Sequence, residues 1–318
     1  MMTPKIIICM STFNGEQFLN KQIQSIRSQD YTNWILLIHD DGSTDNTIKI
    51  INNFLELDNR IQLVTDLQGH LGVKKSFLSL CFKEDADFYM FSDQDDIWLP
   101  SKISKLLNAI QGENQEIPIL IHSDYQTVNK DGEKINGYLS GYQDTELEEL
   151  LLKNNVTGCT CLFNRSLKNC VQAKKNEIDY SRMIMHDWWL AIIASAFGKV
   201  MYFPEVTVLY RQHSNNVVGA VTENNSFLQR LLKFLSMQSS NINKICVQAD
   251  LFKSIYPNIT MNEHYDYVDF FSKLLSNWKP INQVMYARKY VPRILSRFNS
   301  LQFYFFILMP VKVRQIFA

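Results

Sequence analysis

Three things are scarce in this chain, and each scarcity excludes something. An apolar run such as Phe303 to Met309 falls far short of the ~20 residues that a membrane-spanning helix needs. The six cysteines, Cys9, Cys81, Cys159, Cys161, Cys170 and Cys246, are scattered. Cys159-x-Cys161 has no second pair at zinc-site spacing, so both are read as strand residues. With no signal peptide ahead of Lys5-Ile6-Ile7-Ile8, a reducing cytoplasm is the expected compartment. Acidic residues run out altogether after Asp269, whereas Lys273, Lys279, Arg288, Lys289, Arg293, Arg297, Lys312 and Arg314 follow it. Residues 270–318 thus carry +8, and because the whole chain is neutral the residues before them carry −8. Such a tail suits an anionic surface, and its Trp, Tyr, Phe and Leu favour a membrane interface over nucleic acid, which is not expected as a partner.

What is present describes a globular chain. At 318 residues, 46% of them hydrophobic and 20% charged, one large α/β domain with an extension is expected and disorder is not. Lys5 to Met10 reads as a buried strand that ends in Ser11-Thr12-Phe13-Asn14-Gly15, and Leu19, Ile23 and Ile26 mark the helix that follows. That loop has neither the glycine pattern of a dinucleotide site nor the Gly-rich loop ending in Lys-Ser or Lys-Thr of a phosphate-loop ATPase. A second strand, Trp34 to Ile38, runs into His39-Asp40-Asp41-Gly42-Ser43-Thr44-Asp45. Ser43, Thr44 or Asp45 can cap the next helix; Asp40 and Asp41 precede the turn glycine, where a carboxylate can accept from a base N–H or a ribose hydroxyl. Ile61 to Thr65 is a third strand, and the helix from Val73 to about Phe82 carries Lys74 and Lys75 in a first turn that ordinarily favours acids, so these two face either an anion or solvent.

The richest stretch is Phe91-Ser92-Asp93-Gln94-Asp95-Asp96-Ile97-Trp98. Phe88 to Phe91 is a buried strand, and Ile103, Leu106, Leu107 and Ile110 follow helical spacing after Pro100, so three carboxylates sit at a strand's carboxyl end. In an open α/β sheet ligands bind at that edge, and clustered acids repel unless a cation or donors lie between them. A hard divalent ion, Mg²⁺ or Mn²⁺, fits, as does a solvated acidic loop. Strands alternating with helices imply a parallel sheet covered on both faces.

In this order and separation the Ser-Thr-Phe-Asn-Gly loop, the Asp-Asp-Gly-Ser-Thr-Asp turn and the Ser-Asp-Gln-Asp-Asp-Ile-Trp stretch resemble the family 2 glycosyltransferases of the GT-A fold, and within them the rhamnosyltransferase-like bacterial branch. The similarity covers roughly residues 4 to 215. It implies an α/β fold of Rossmann-like, mostly parallel type with a C-terminal helical extension, a nucleotide-sugar donor, a divalent metal and inversion at the anomeric carbon. By position, the resemblance gives Ser11 and Phe13 to the nucleoside pocket, with Asn14 and Lys75 in the donor-binding set. Asp41 goes to the base, Asp93 to the ribose or metal, and Asp95 to the metal, Asp96 being left to start the next helix. Phe13 stands where many relatives have Tyr, and Ser76 where this branch often has Asn.

Further on, Ile117 to His122 reads as a strand, Val128 to Ile135 as a hairpin with an Asp-Gly turn, and Thr145 to Lys153 as a helix. Gly158 lies in a polar loop ahead of the strand Thr160 to Phe163, where glycine permits close approach to a sugar. His186-Asp187-Trp188-Trp189 opens an apolar helix. Asp187 alone would be read as its cap, but it matches the family's catalytic base; the two tryptophans suit either a sugar face or the core. The strand Thr207 to Tyr210 leads to Arg211 and His213. The resemblance implies that Arg211 is a phosphate contact or loop support and that His213 is a third metal ligand or phosphate contact. Past about Val221, Phe227 to Met237, Ile242 to Ile255, His264 to Leu275 and Ile281 to Tyr290 read as helices.

The expected domains are a catalytic one over 1–220 and a helical extension over 221–318, cytoplasmic or peripheral at the inner membrane face. The expected activity is transfer from a dTDP- or UDP-linked sugar, dTDP-L-rhamnose favoured, to a saccharide or polyprenyl-diphosphate-linked acceptor of a bacterial surface polysaccharide. A UDP-hexose or UDP-N-acetylhexosamine transferase is the alternative. A nucleotidyltransferase would need a Gly-rich, Arg-containing first loop, and a non-catalytic carbohydrate binder would have little use for Asp95, Asp187 and His213 together.

Overall fold

A computed structural model describes residues 3–67, 69–139, 145–212, 243–261 and 265–274. In order these form β1 (Ile6–Thr12), α1 (Leu19–Arg27), β2 (Trp34–Asp40), α2 (Thr47–Leu57), β3 (Ile61–Leu63), α3 (Gly72–Cys81), β4 (Phe88–Ser92), β5 (Ile97–Trp98) and α4 (Lys102–Ala109). After these come β6 (Ile119–Val128), β7 (Lys134–Leu139), α5 (Leu147–Leu152), β8 (Cys161–Asn164), α6 (Arg165–Gln172), α7 (His186–Phe197) and β9 (Lys199–Arg211). Two more helices, α8 (243–255) and α9 (Tyr265–Lys273), complete the described chain.

The chain divides into two compact units, one of Met1–Thr145, Asn155–Lys175 and Met185–Gly219, the other of Glu146–Asn154, Asn176–Ile184 and Ala220–Ala318. The first holds the sheet, in the order β3-β2-β1-β4-β8-β6-β9-β5 with β7 paired to β6. Its first four strands in sequence are parallel, as the strand-helix alternation predicts. Beyond β4 the sheet is mixed, because β8 enters antiparallel between β4 and β6 while β9 runs parallel to β6. Antiparallel neighbours need no crossover helix, which is why the regular alternation ends here. Asn164 fixes the junction. Its Oδ1 accepts from Ile119 N at the start of β6 and from Leu167 N, capping α6, both at 3.0 Å, and its Nδ2 donates to Ile117 O at 2.8 Å.

Both faces of β1 are apolar, so it lies at the centre with helices on either side. Ile6, Ile8 and Met10 point to one face with Leu19, Ile23 and Ile26 of α1, Ile51 and Phe54 of α2, and Ile103, Leu106 and Ile110 of α4. At about 1.5–3 kcal/mol for each buried Ile, Leu, Phe or Met side chain, this cluster is the main force holding α1, α2 and α4 to the sheet. On the other face Phe91 packs against Phe77 of α3 and Phe163 of β8. Helix α7 is buried almost all round and belongs to the interior.

In the second unit Lys253 of α8 and Lys273 of α9 both pair with Asp269, at 2.5 and 2.7 Å, over buried Phe252, Val268 and Phe271. The helices expected over Ile242 to Ile255 and His264 to Leu275 match these two. Those expected over Phe227 to Met237 and Ile281 to Tyr290, together with the rest of the basic tail, lie outside the described residues. Among the described residues no helix is long and apolar enough to cross a membrane.

Candidate active site

The loops after β1, β2 and β4 meet at the carboxyl edge of the parallel strands and are tied together by polar side chains. Asp40 is spent inside this framework: its Oδ1 accepts from the Thr12 and Ser43 hydroxyls at 2.8 and 2.6 Å, and its Oδ2 from Ser43 N at 2.8 Å. The carboxylate of Asp41 accepts from Leu71 N at 2.5 Å and Gly72 N at 3.0 Å at the start of α3. The turn that follows Asp40 and Asp41 needs Gly42, whose φ is +94° and whose missing Cβ would lie 2.3 Å from the His70 ring. Asn14, at φ 48°, bridges to the same turn by donating from its N to Ser43 Oγ and accepting from Thr44 N, both at 2.8 Å.

Phe13 stands 52% exposed between these loops, an apolar ring facing solvent. Gln94, to which no motif pattern in the chain gives a role, clamps its main chain from both sides: Gln94 Oε1 accepts from Phe13 N at 2.9 Å and Gln94 Nε2 donates to Phe13 O at 3.0 Å. Any Cβ on Gly15 would meet Gln94 Oε1 at 2.3 Å, so the Gly and the Gln are one device. Ser11 is half-buried at the end of β1, and Lys75 is exposed in the first turn of α3.

The three acids are not alike. Asp96 is fully buried, its Oδ1 accepting from Arg211 N at 3.0 Å and its Oδ2 lacking any hydrogen-bond partner. This corrects the expectation that Asp96 merely starts a helix: α4 begins at Lys102, and between them β5 pairs antiparallel with β9, carrying Asp96 into the interior. Ligand atoms of Asp93, Asp96 and Cys159 lie within 4.8 Å of one another, a group that does not include Asp95, expected from the family pattern to be the metal ligand. Burial, then the charges of Asp96, Asp95 and Asp187, pushes Asp93 well above the usual carboxylate range. Burial and Asp95 push Asp96 up to about 7, against the Arg211 N–H. Two destabilised carboxylates, one of them with its Oδ2 buried, fit a hard divalent cation. The thiol does not: burial pushes Cys159 far up, and a protonated sulfur is a poor ligand for such an ion.

Arg211 is fully buried, its Nε donating to Asp95 O at 2.8 Å and its Nη1 to Asn129 O at 3.2 Å, with the guanidinium 4.7 Å from the Phe18 ring centre. These bonds to main-chain carbonyls are those of loop support, one of the two roles expected for it. His213 lies outside the described residues.

Asp187 sits in the first turn of α7, 7% exposed, with Oδ2 accepting from Gly158 N at 2.8 Å and Oδ1 from Trp188 N at 2.6 Å. Gly158 belongs to a 3₁₀ turn, Gly158–Thr160, which also claims Cys159 from the expected strand. Buried, with its amide turned to Asp187, Gly158 is not the open sugar contact expected; a Cβ there would press on Asp187 and His186 at 3.4 Å. His186 stacks on Phe77 at 4.3 Å, and burial lowers it to about 3, so it serves as a neutral core aromatic. Trp188 and Trp189 are buried as well, which assigns them to the core.

The fold is shared with solved glycosyltransferase structures. Staphylococcus aureus TarS 1-349 in complex with UDP aligns with a TM-score of 0.54 at 14% identity, over 98% of this chain and 88% of that one. TarS 1-349 in complex with UDP-GlcNAc gives 0.52 at 13%, over 92% and 82%. The fold is thus of the GT-A type. The chain belongs to glycosyl transferase family 2, whose model matches residues 7–171. Among curated relatives it is 30% identical over 220 residues to the dTDP-rhamnosyl transferase RfbG of Shigella flexneri, covering 66% of this chain and 74% of that protein. It is likewise 30% identical over 167 residues to the Escherichia coli UDP-Glc:alpha-D-GlcNAc-diphosphoundecaprenol beta-1,3-glucosyltransferase WfgD, covering 52% and 62%.

Proposed function

We propose that this glycosyltransferase moves a sugar from a nucleotide donor to a saccharide or polyprenyl-diphosphate-linked acceptor, with inversion, in bacterial surface polysaccharide synthesis. The observation that carries this reading is the Asp187 carboxylate, oriented by two main-chain N–H groups and electrostatically coupled to Asp93 of the acid cluster. Phe13 offers a face for the base, Asp41 an acceptor for its N–H, and Ser11, Asn14 and Lys75 complete the donor-binding edge. Asp93 and Asp96, with Asp95 beside them, would hold Mg²⁺ or Mn²⁺, which when bound supplies positive charge for the departing diphosphate. Asp187 takes the acceptor hydroxyl's proton as that oxygen bonds to the anomeric carbon and the carbon–oxygen bond to the diphosphate breaks. A single displacement inverts the centre and needs no covalent sugar-enzyme species. His213, close in sequence to Arg211, is kept as a phosphate or metal contact.

The relative RfbG supports dTDP-L-rhamnose as donor, and WfgD supports the second reading, a UDP-hexose with a lipid-linked acceptor. Residues 1–220 are taken as the catalytic domain and 221–318 as a helical extension whose +8 end holds the enzyme reversibly at the inner membrane face, at about 1 kcal/mol per basic residue near an anionic leaflet. The test is nucleotide release from a panel of dTDP- and UDP-sugars with Mn²⁺ or Mg²⁺. One donor is expected to stand out, and Asp187→Asn is expected to cut kcat by about 10²–10⁴ while the variant remains folded. Full activity of Asp187→Asn, or turnover indifferent to chelation, refutes the mechanism.

A further inference from the structure

Lys102 carries two penalties that a merely structural residue would shed. It is the first residue of α4, where the helix dipole disfavours a cation, and it is fully buried, where an ammonium is costly unless paired. The surroundings explain why both are tolerated. Its Nζ donates to the carbonyl of Cys159, whose Sγ lies within 4.8 Å of carboxylate oxygens of Asp93 and Asp96, and lies 3.5 Å from the centre of the Trp98 ring. Cys159 is the middle residue of the turn whose first residue, Gly158, holds Asp187. One ammonium therefore connects the acid turn after β4 with the turn that orients the carboxylate of α7.

We infer that Lys102 is a positioning residue for the transfer reaction, a built-in cation that fixes the Gly158–Asp187 turn against the acid cluster and balances that cluster when no divalent ion is bound. The role rests on the reading of Asp187 and the acids as the transfer site. A divalent cation and the ammonium then act on the same carboxylates, so removing one increases dependence on the other. A lysine present only to fill volume would show no such exchange.

The test replaces Lys102 by methionine, which keeps the stem and deletes the charge. In Lys102→Met the expected result is a kcat lowered about 10–100-fold with donor KM within about threefold, since a misplaced base acts on the barrier more than on binding. In thermal melts without donor, Mn²⁺ is expected to raise the melting temperature of Lys102→Met by several degrees more than that of wild type. Should the single variant fail to fold, Asp96→Asn/Lys102→Met, which removes opposite charges together, is expected to fold and melt closer to wild type. Wild-type kcat together with a wild-type Mn²⁺ shift overturns the inference, as does a double variant no more stable than the single. If wild type turns over no donor, the proposed reaction fails while the melts still judge Lys102.

Discussion

Gln94→Ala removes both hydrogen bonds that hold the main chain of Phe13, at 2.9 and 3.0 Å, and opens a gap beside Gly15. A hydrogen bond of this kind contributes about 1 kcal/mol net, less where water competes, so the pair is worth about 1–2 kcal/mol of loop order. In free solution the Phe13 loop then samples other positions, and the donor must restore the right one on binding. At ~1.4 kcal/mol per tenfold this raises donor KM about 5–30-fold. The loss is common to the bound ground state and the transition state, so kcat stays within about threefold. Initial rates over a donor series measure both constants, and titration calorimetry with the bare nucleoside diphosphate gives the binding loss without chemistry. Gln94→Glu keeps the acceptor but not the donor and is expected to fall between alanine and wild type. An unchanged KM, or a fall in kcat at constant KM, refutes the idea that Gln94 works by presenting Phe13.

Burial lowers His186 to about 3 and His122 to about 4, so both are neutral in the folded protein at pH values where the unfolded chain protonates them. Their contribution is complete above about pH 6.5 and is lost as pH falls through the window toward 4 and 3, with a slope of up to about 1.4 kcal/mol per pH unit for each. His186→Phe, which keeps the stack on Phe77, is expected to flatten urea-melt stability between pH 6.5 and 4; parallel curves for variant and wild type reject this. Asp58, held by Arg60 at 2.8 Å and Arg27 at 3.3 Å, is lowered to about 2. A depressed carboxylate stabilises above its unfolded pKa and loses that contribution as pH falls from about 4 toward 2. Asp58→Asn is thus expected to cost about 1–2 kcal/mol at pH 7 after allowance for solvent screening, and nothing near pH 2.

The parallel half of the sheet could be read from the chain because its signals are local. Ile6 to Met10 and Trp34 to Ile38 are short apolar runs ending in polar turns, and Ile103, Leu106 and Ile110 repeat at helical spacing, so a few neighbouring residues settle each element. Helix α6, strand β5 and residues 199–206 of β9 carry no such local signal: the first is short and polar, and the second pairs only with a strand more than 100 residues away. The basic stem of Lys102 gave no sign that it would be buried, since a lysine after a proline ordinarily marks a solvated helix start.

By itself, then, the sequence determined which loops gather at one edge, because parallel strands joined by helices present all their carboxyl ends together, and it determined the family through three motifs in order. Tertiary structure alone decided how the acids divide. Asp93, Asp95 and Asp96 are chemically equivalent in the chain; pairing of β5 with β9 buries Asp96 against Arg211 N, sets Asp93 beside it with Cys159, and leaves Asp95 outside that group. It also turned Gly158 from a predicted sugar contact into the donor that orients Asp187, a contact between residues 29 apart in sequence. Charge, burial and hydrogen bonding depend on neighbours in space, and those neighbours exist only once the sheet has closed around them.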